Sequence, residues 1–89
     1  MNKANVNQVV KKSRPLYEIA MDISKDWSNP SVYAIDYIQA MRRLNLITDM
    51  FYQDSAKEIV LRFLSNASSW RGDKAKAIKA ELKQICGIK

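Results

Sequence analysis

The sequence predicts an all-α protein, a small four-helix bundle, with a trihelical helix-turn-helix-like core plus an extra helix as the runner-up. Three observations point there. Turn residues are scarce, with two Gly and two Pro in 89 residues. Helical apolar periodicity recurs four times along the chain. No strand-like alternation is sustained. A chain this short holds one domain. It is read as a helical domain over 13–89 behind a flexible basic arm over 1–12.

The first helix is expected to begin near Ser13 or Arg14, with Pro15 in its first turn, where a missing N–H does no harm. Leu16, Ile19, Ala20, Ile23 and Trp27 then share one face. Glu18, Asp22 and Asp26 line the other side as a solvated acidic stripe or a surface for a basic partner. Trp27-Ser28-Asn29-Pro30 stops this helix and starts the next, with Ser28 or Asn29 as cap and Pro30 at the first position. Ala34, Tyr37, Ile38, Met41 and Leu44 form the second stripe, while Val32 and Ile35 point away from it. Leu46–Gln53 is expected to hold a single helical turn capped by Thr48 or Asp49, with Met50, Phe51 and Tyr52 plugging the bundle end.

The third helix starts at Asp54 or Ser55, and Ser55 with Glu58 three residues on is a capping-box pattern. Ala56, Ile59, Val60, Phe63, Leu64 and Ala67 make the clearest apolar stripe in the chain, widened by Leu61. The fourth helix begins between Ser68 and Gly72 and ends near Cys86, with Gly87 as its stop. Ala75, Ile78, Leu82 and Ile85 are its apolar side, and Lys76, Lys79 and Lys83 line one flank. With Ser69 as cap, Arg71 leans toward the apolar side and is expected to pair with Asp49 or Asp54.

The net charge of +6 is unevenly placed. Residues 1–14 carry +4, residues 70–89 carry +4, and residues 15–69 carry −2. If the two ends lie together, as chain ends often do, they merge into one basic patch suited to phosphate. Lys11, Lys12, Arg14, Arg71, Lys76, Lys79 and Lys83 are therefore the candidate nucleic-acid contacts. The candidate protein-binding residues are Val32, Ile35, Phe51, Tyr52 and Trp70.

Other functions are disfavoured. The absence of His removes the commonest general base and zinc ligand, and one Cys excludes a disulfide within the chain. There is no nucleophile elbow and no phosphate-cradling glycine loop. The expectation is a protein that is not an enzyme and that holds no cofactor or metal. No apolar run approaches the roughly 20 residues of a membrane span, and the N-terminal residues lack a signal-peptide core, so a cytoplasmic location is expected. Cys86 reads as a core residue.

Ser13-Arg14-Pro15-Leu16, Asp49-Met50-Phe51-Tyr52 with Asp54-Ser55-Ala56, and above all Phe63-Leu64-Ser65-Asn66-Ala67-Ser68-Ser69-Trp70-Arg71-Gly72 carry a resemblance. They resemble a family of small proteins of Gram-positive phages, plasmids and chromosomal cassette elements. The resemblance runs from about Ser13 to Leu82, and Leu-Ser-Asn-Ala-x-x-Trp-Arg-Gly is its most specific part. It brings no catalytic residues. It implies a role in replication or host takeover, including that of small partner subunit to a polymerase-like primase. In the residues themselves, Trp70 and Arg71 read as a helix-junction brace or a functional surface, and Gly72 as a point of close backbone approach.

Three functions compete on this basis. One is a nucleic-acid-handling accessory protein. Another is a protein-binding inhibitor of a host enzyme or defence complex, with no nucleic-acid contact. The third is a homodimer whose paired basic arms make one site.

Overall fold

The computed structural model describes residues 13–88. Four helices, α1 (Leu16–Asp26), α2 (Val32–Met41), α3 (Ala56–Ser65) and α4 (Asp73–Ile85), pack around one apolar core. A hairpin of two-residue strands, β1 (Met50–Phe51) and β2 (Asp54–Ser55), links α2 to α3. The architecture is the small helical bundle expected. Phe63, Leu16, Ile19, Ile23, Met41, Leu82 and Val60 are the largest fully buried side chains, and each lies on an apolar stripe legible in the sequence. No described helix is long and apolar enough to cross a membrane.

Each helix end is satisfied differently. Pro15 precedes α1 as its cap residue, just outside the first turn, and offers no side-chain bond. The free N–H groups of Leu16 and Tyr17 instead donate to the carbonyls of Asn45 and Leu44, both at 2.9 Å. The loop after α2 thus caps α1 from outside. The second helix begins later than its local signals suggest, at Val32 behind Ser31, so Pro30 lies outside it. Ser31 makes no side-chain cap, and its hydroxyl donates to the carbonyl of Asn66 at 3.1 Å. The α3 capping box is present in full: Ser55 Oγ accepts from the Glu58 N–H, and Glu58 accepts from the Ser55 N–H. It contributes about 1 kcal/mol. Helix α4 ends in a Schellman motif, with Gly87 at φ +81°, its N–H on Gln84 and the Ile88 N–H on Lys83.

The segment after α2 corrects the sequence reading. No helical turn forms there. Asp49 accepts the backbone N–H groups of Asn45 and Leu46 behind it rather than capping residues ahead. The chain reverses through Tyr52-Gln53, with Phe51 paired to Asp54. Tyr52 takes φ +57°, the left-handed conformation that the first position of a two-residue hairpin loop requires. Only Phe51 plugs the bundle, half-buried against the core and edge-on to Tyr52, while Met50 and Tyr52 are exposed.

The acidic stripe of α1 is partly engaged: Asp22 is tied to Arg14, while Glu18 and Asp26 stay exposed. The Arg14 guanidinium bonds both Glu81 carboxylate oxygens, at 2.8 and 2.9 Å, and Asp22 at 2.6 Å, with Glu18 at 3.8 Å. This clasp fastens the start of α1 to the middle of α4. Its hydrogen bonds, chiefly those it donates to Glu81, hold the Arg14 pKa above the ordinary value. The bond from Arg14 in turn holds the Asp22 carboxyl below the usual carboxylate range. Because the folded pKa of Asp22 is depressed, its stabilisation is present above the ordinary Asp value and lost as pH falls through the folded one. Arg14→Ala should therefore cost about 1–2 kcal/mol at neutral pH. In urea unfolding series, the difference between variant and parent should shrink as the pH is taken below about 4.

Candidate nucleic-acid interface

The stretch from Leu64 to Gly72 joins α3 to α4, and nearly every residue in it has a structural task. Leu64 is half-buried against the core. Ser65 and Asn66 side chains donate to the carbonyls of Leu61 and Arg62, closing the end of α3. Ala67 is fully buried, and its carbonyl accepts the Trp70 N–H at 3.0 Å. Trp70 is 2% exposed. Its indole stacks on Trp27 at 5.7 Å and 8° from parallel, meets Phe63 edge-on at 6.2 Å, and donates its N–H to Asp26 at 2.8 Å. Trp70 is thus the junction brace, and its burial removes it from the candidate protein-binding residues. Its place there is taken by the exposed Tyr33 of α2, on which the sequence carries no motif.

Gly72 has a different reason from the one its position suggested. A Cβ there would meet nothing within 4 Å, so no close approach requires it. Its φ of +110° does, because L side chains rarely adopt it. The turn at Gly72 starts α4 and leaves Arg71 outside the helix, exposed to solvent. The expected ion pairs of Arg71 do not form: Asp49 holds backbone N–H groups, and Asp54 sits 3.4 Å from Arg62. Among the described residues Arg71 makes no ion pair and no side-chain hydrogen bond.

Lys79 completes the site. Its Nζ donates to the Trp70 carbonyl at 2.7 Å and lies 5.8 Å from the centre of the Trp70 ring. Burial, then the neighbouring charges of Lys83 and Arg71, push its pKa below the ordinary lysine value. Lys76 and Lys83 are exposed on the same side of α4, separated by seven residues and about 10 Å of helix rise. Among the described residues none of these four cations is paired with a carboxylate. Ser68, Trp70, Arg71, Gly72, Asp73, Lys76 and Lys79 line a cavity of about 380 Å³ at this corner. Ser68 as a lining residue has no motif or periodicity that marks it.

The other expected contacts fall elsewhere. Arg14 is spent on Glu81 and Asp22, so it serves the fold. Helical geometry places Glu81 and the Lys79–Lys83 flank on opposite sides of the buried Ile78–Leu82 stripe, so Arg14 is not part of the same surface. Lys11 and Lys12 lie outside the described residues. Val32 and Ile35 are 71% and 36% exposed on the outer side of α2, as expected of a second surface. Burial pushes the Cys86 thiol up, which leaves it inert. Among the described residues no group of His, Cys, Asp and Glu could hold a metal.

No family model, curated protein or solved structure matches this chain.

The backbone of the cavity depends on Gly72. Gly72→Ala adds no clash, so it should cost only the strain of a positive φ, about 1–2 kcal/mol. A thermal melt should show a midpoint lower by roughly 4–15 °C. A change within a degree would mean that Gly72 does not need this conformation.

Proposed function

We propose that this protein is a small basic accessory protein that binds nucleic acid through one face of α4, alone or as the partner subunit of a replication enzyme such as a primase or polymerase. The observation that carries this reading is the convergence of Arg71, Lys76, Lys79 and Lys83 on one surface with no carboxylate partner among the described residues. Unpaired cations held near one another raise the local positive potential, and their neutralisation by phosphate releases condensed counterions. Such contacts position a strand without reading its bases. The assignment to a mobile genetic element rests on the resemblance carried by Leu64–Gly72.

A second reading is supported by α2. Val32, Tyr33 and Ile35 form an exposed apolar and aromatic face, apart from the cations of α4. A face of this kind suits a protein partner. As the main activity, it would make the protein an inhibitor of a host enzyme or defence complex. As a companion to the basic face, it would dock a replication enzyme.

The two readings separate in a salt titration with labelled single-stranded and duplex oligonucleotides. About three or four phosphate contacts give a log–log slope near −3 on duplex and a shallower one on single strands. Lys76→Gln with Lys83→Gln, both exposed, should leave the helical spectrum unchanged and reduce the slope by about 2. No binding at low salt would reject nucleic-acid contact and leave the α2 face as the functional surface.

A further inference from the structure

The cavity at the start of α4 differs in its charge from three other concave places among the described residues. The groove beside Ile35 has Arg42 as its charged side chain, and the groove beside Tyr33 has Asp36. The cavity beside Leu46 and Ile85 has Arg14, which is already paired. The α4 cavity is lined by three cations, Arg71, Lys76 and Lys79, and one carboxylate, Asp73, a net charge of +2. Asp73 lies in the first turn of α4 and already answers the positive end of that helix. The excess charge therefore comes from side chains and not from the helix end.

We infer that this cavity seats a phosphomonoester, such as the terminal phosphate of a nucleic-acid strand. The inference rests on the nucleic-acid reading above and narrows it to a chemical group. A monoester carries about −1.5 to −2 at neutral pH and three acceptor oxygens. It balances the +2 of the lining, whereas an internal diester carries one charge and leaves the site half-neutralised. The donors are sufficient. Arg71 offers a guanidinium fork, Lys76 an ammonium, and Ser68 a hydroxyl. Lys79 spends one of its three donors on the Trp70 carbonyl, which fixes its position and leaves two for a ligand. The buried Trp70 forms part of the lining and holds Lys79 in place, so one of the three cations is pre-organised. Lys83 lies on the same flank but is not part of the cavity wall, where it meets the strand that follows the seated phosphate.

The test compares one single-stranded oligonucleotide with a 5′-phosphate, a 3′-phosphate or only hydroxyl ends, and adds a nucleoside monophosphate as competitor. Fluorescence anisotropy of an internal label reads the affinity. A phosphorylated end should bind about tenfold more tightly than the hydroxyl form near pH 7.5. The advantage should shrink toward roughly pH 5.5, as the monoester takes up its second proton. The groups facing it are Arg71, Asp73, Lys76 and Lys79, and the chain has no His to titrate in that window. Arg71→Gln should abolish the preference. Lys83→Gln should weaken both forms alike and keep it. Competition by the monophosphate at a matching concentration would support the phosphomonoester seat and assign it to free nucleotides. Equal binding of phosphorylated and hydroxyl strands would overturn the inference and leave the nucleic-acid reading standing. Failure of every strand to bind would overturn both.

Discussion

The stacked indoles of Trp27 and Trp70 join three parts of the chain: the end of α1, the loop after α3 and the flank of α4. Both rings also meet Phe63 edge-on, at 6.4 and 6.2 Å, so the stack is wedged into the core through α3. Aromatic pairs in such offset and edge arrangements add about 0.5–1.5 kcal/mol beyond the area they bury. The Trp70 N–H needs an acceptor, and Asp26 supplies it from 44 residues away. The Trp70 carbonyl takes Lys79. A buried ring, its N–H and its backbone thus each fix a different neighbour. The Arg14 clasp acts at the other flank of α4, so that helix is fastened on both sides of its buried stripe.

These fastenings use up part of the positive charge and leave the rest unpaired. Arg14 and Arg62 are paired with carboxylates, and their charge is spent within the fold. Arg71, Lys76, Lys79 and Lys83 are not paired among the described residues, and their charge remains available. A count of basic residues toward each end treats these alike. What sets Arg71, Lys76 and Lys79 apart is position, since they line one cavity, whereas Lys25, Arg42, Arg43, Lys57 and Lys74 are also without an ion pair among the described residues. Within the acidic stripe of α1, Asp22 accepts from Arg14 and Asp26 from Trp70, while Glu18 stays exposed.

Much of the fold was legible because it is set locally. The α3 stripe, the Ser55–Glu58 box and the Gly87 stop each depend on residues within one or two turns, and each formed as read. The hairpin was hidden for the opposite reason. Its strands are too short to alternate, and its loop places Tyr52 at a positive φ where Gly or Asn is the usual signal. The start of α2 was misplaced, and the Ser31 before it bonds a carbonyl 35 residues on. Long-range pairing was invisible as well. Nothing near Arg14 announces Glu81, 67 residues away, although Glu81 stands out as an acid on a lysine-rich helix. At the site, Trp70-Arg71-Gly72 was visible as a unit, and its lysines were visible as a flank. Which of Trp70 and Arg71 faced inward depended on the conformation of Gly72, and that was not.

The corner braced by Trp70 is the proposed place of nucleic-acid contact. The amide and indole NMR spectrum of the full chain, recorded while a short single-stranded oligonucleotide is added at low salt, tests it most directly. The account predicts shifts concentrated on Ser68 to Lys83 and on the Trp70 indole N–H, with α2 and the hairpin unchanged. Shifts concentrated on Val32 to Ile35, or around Arg14, with the Trp70 indole unmoved, would contradict it.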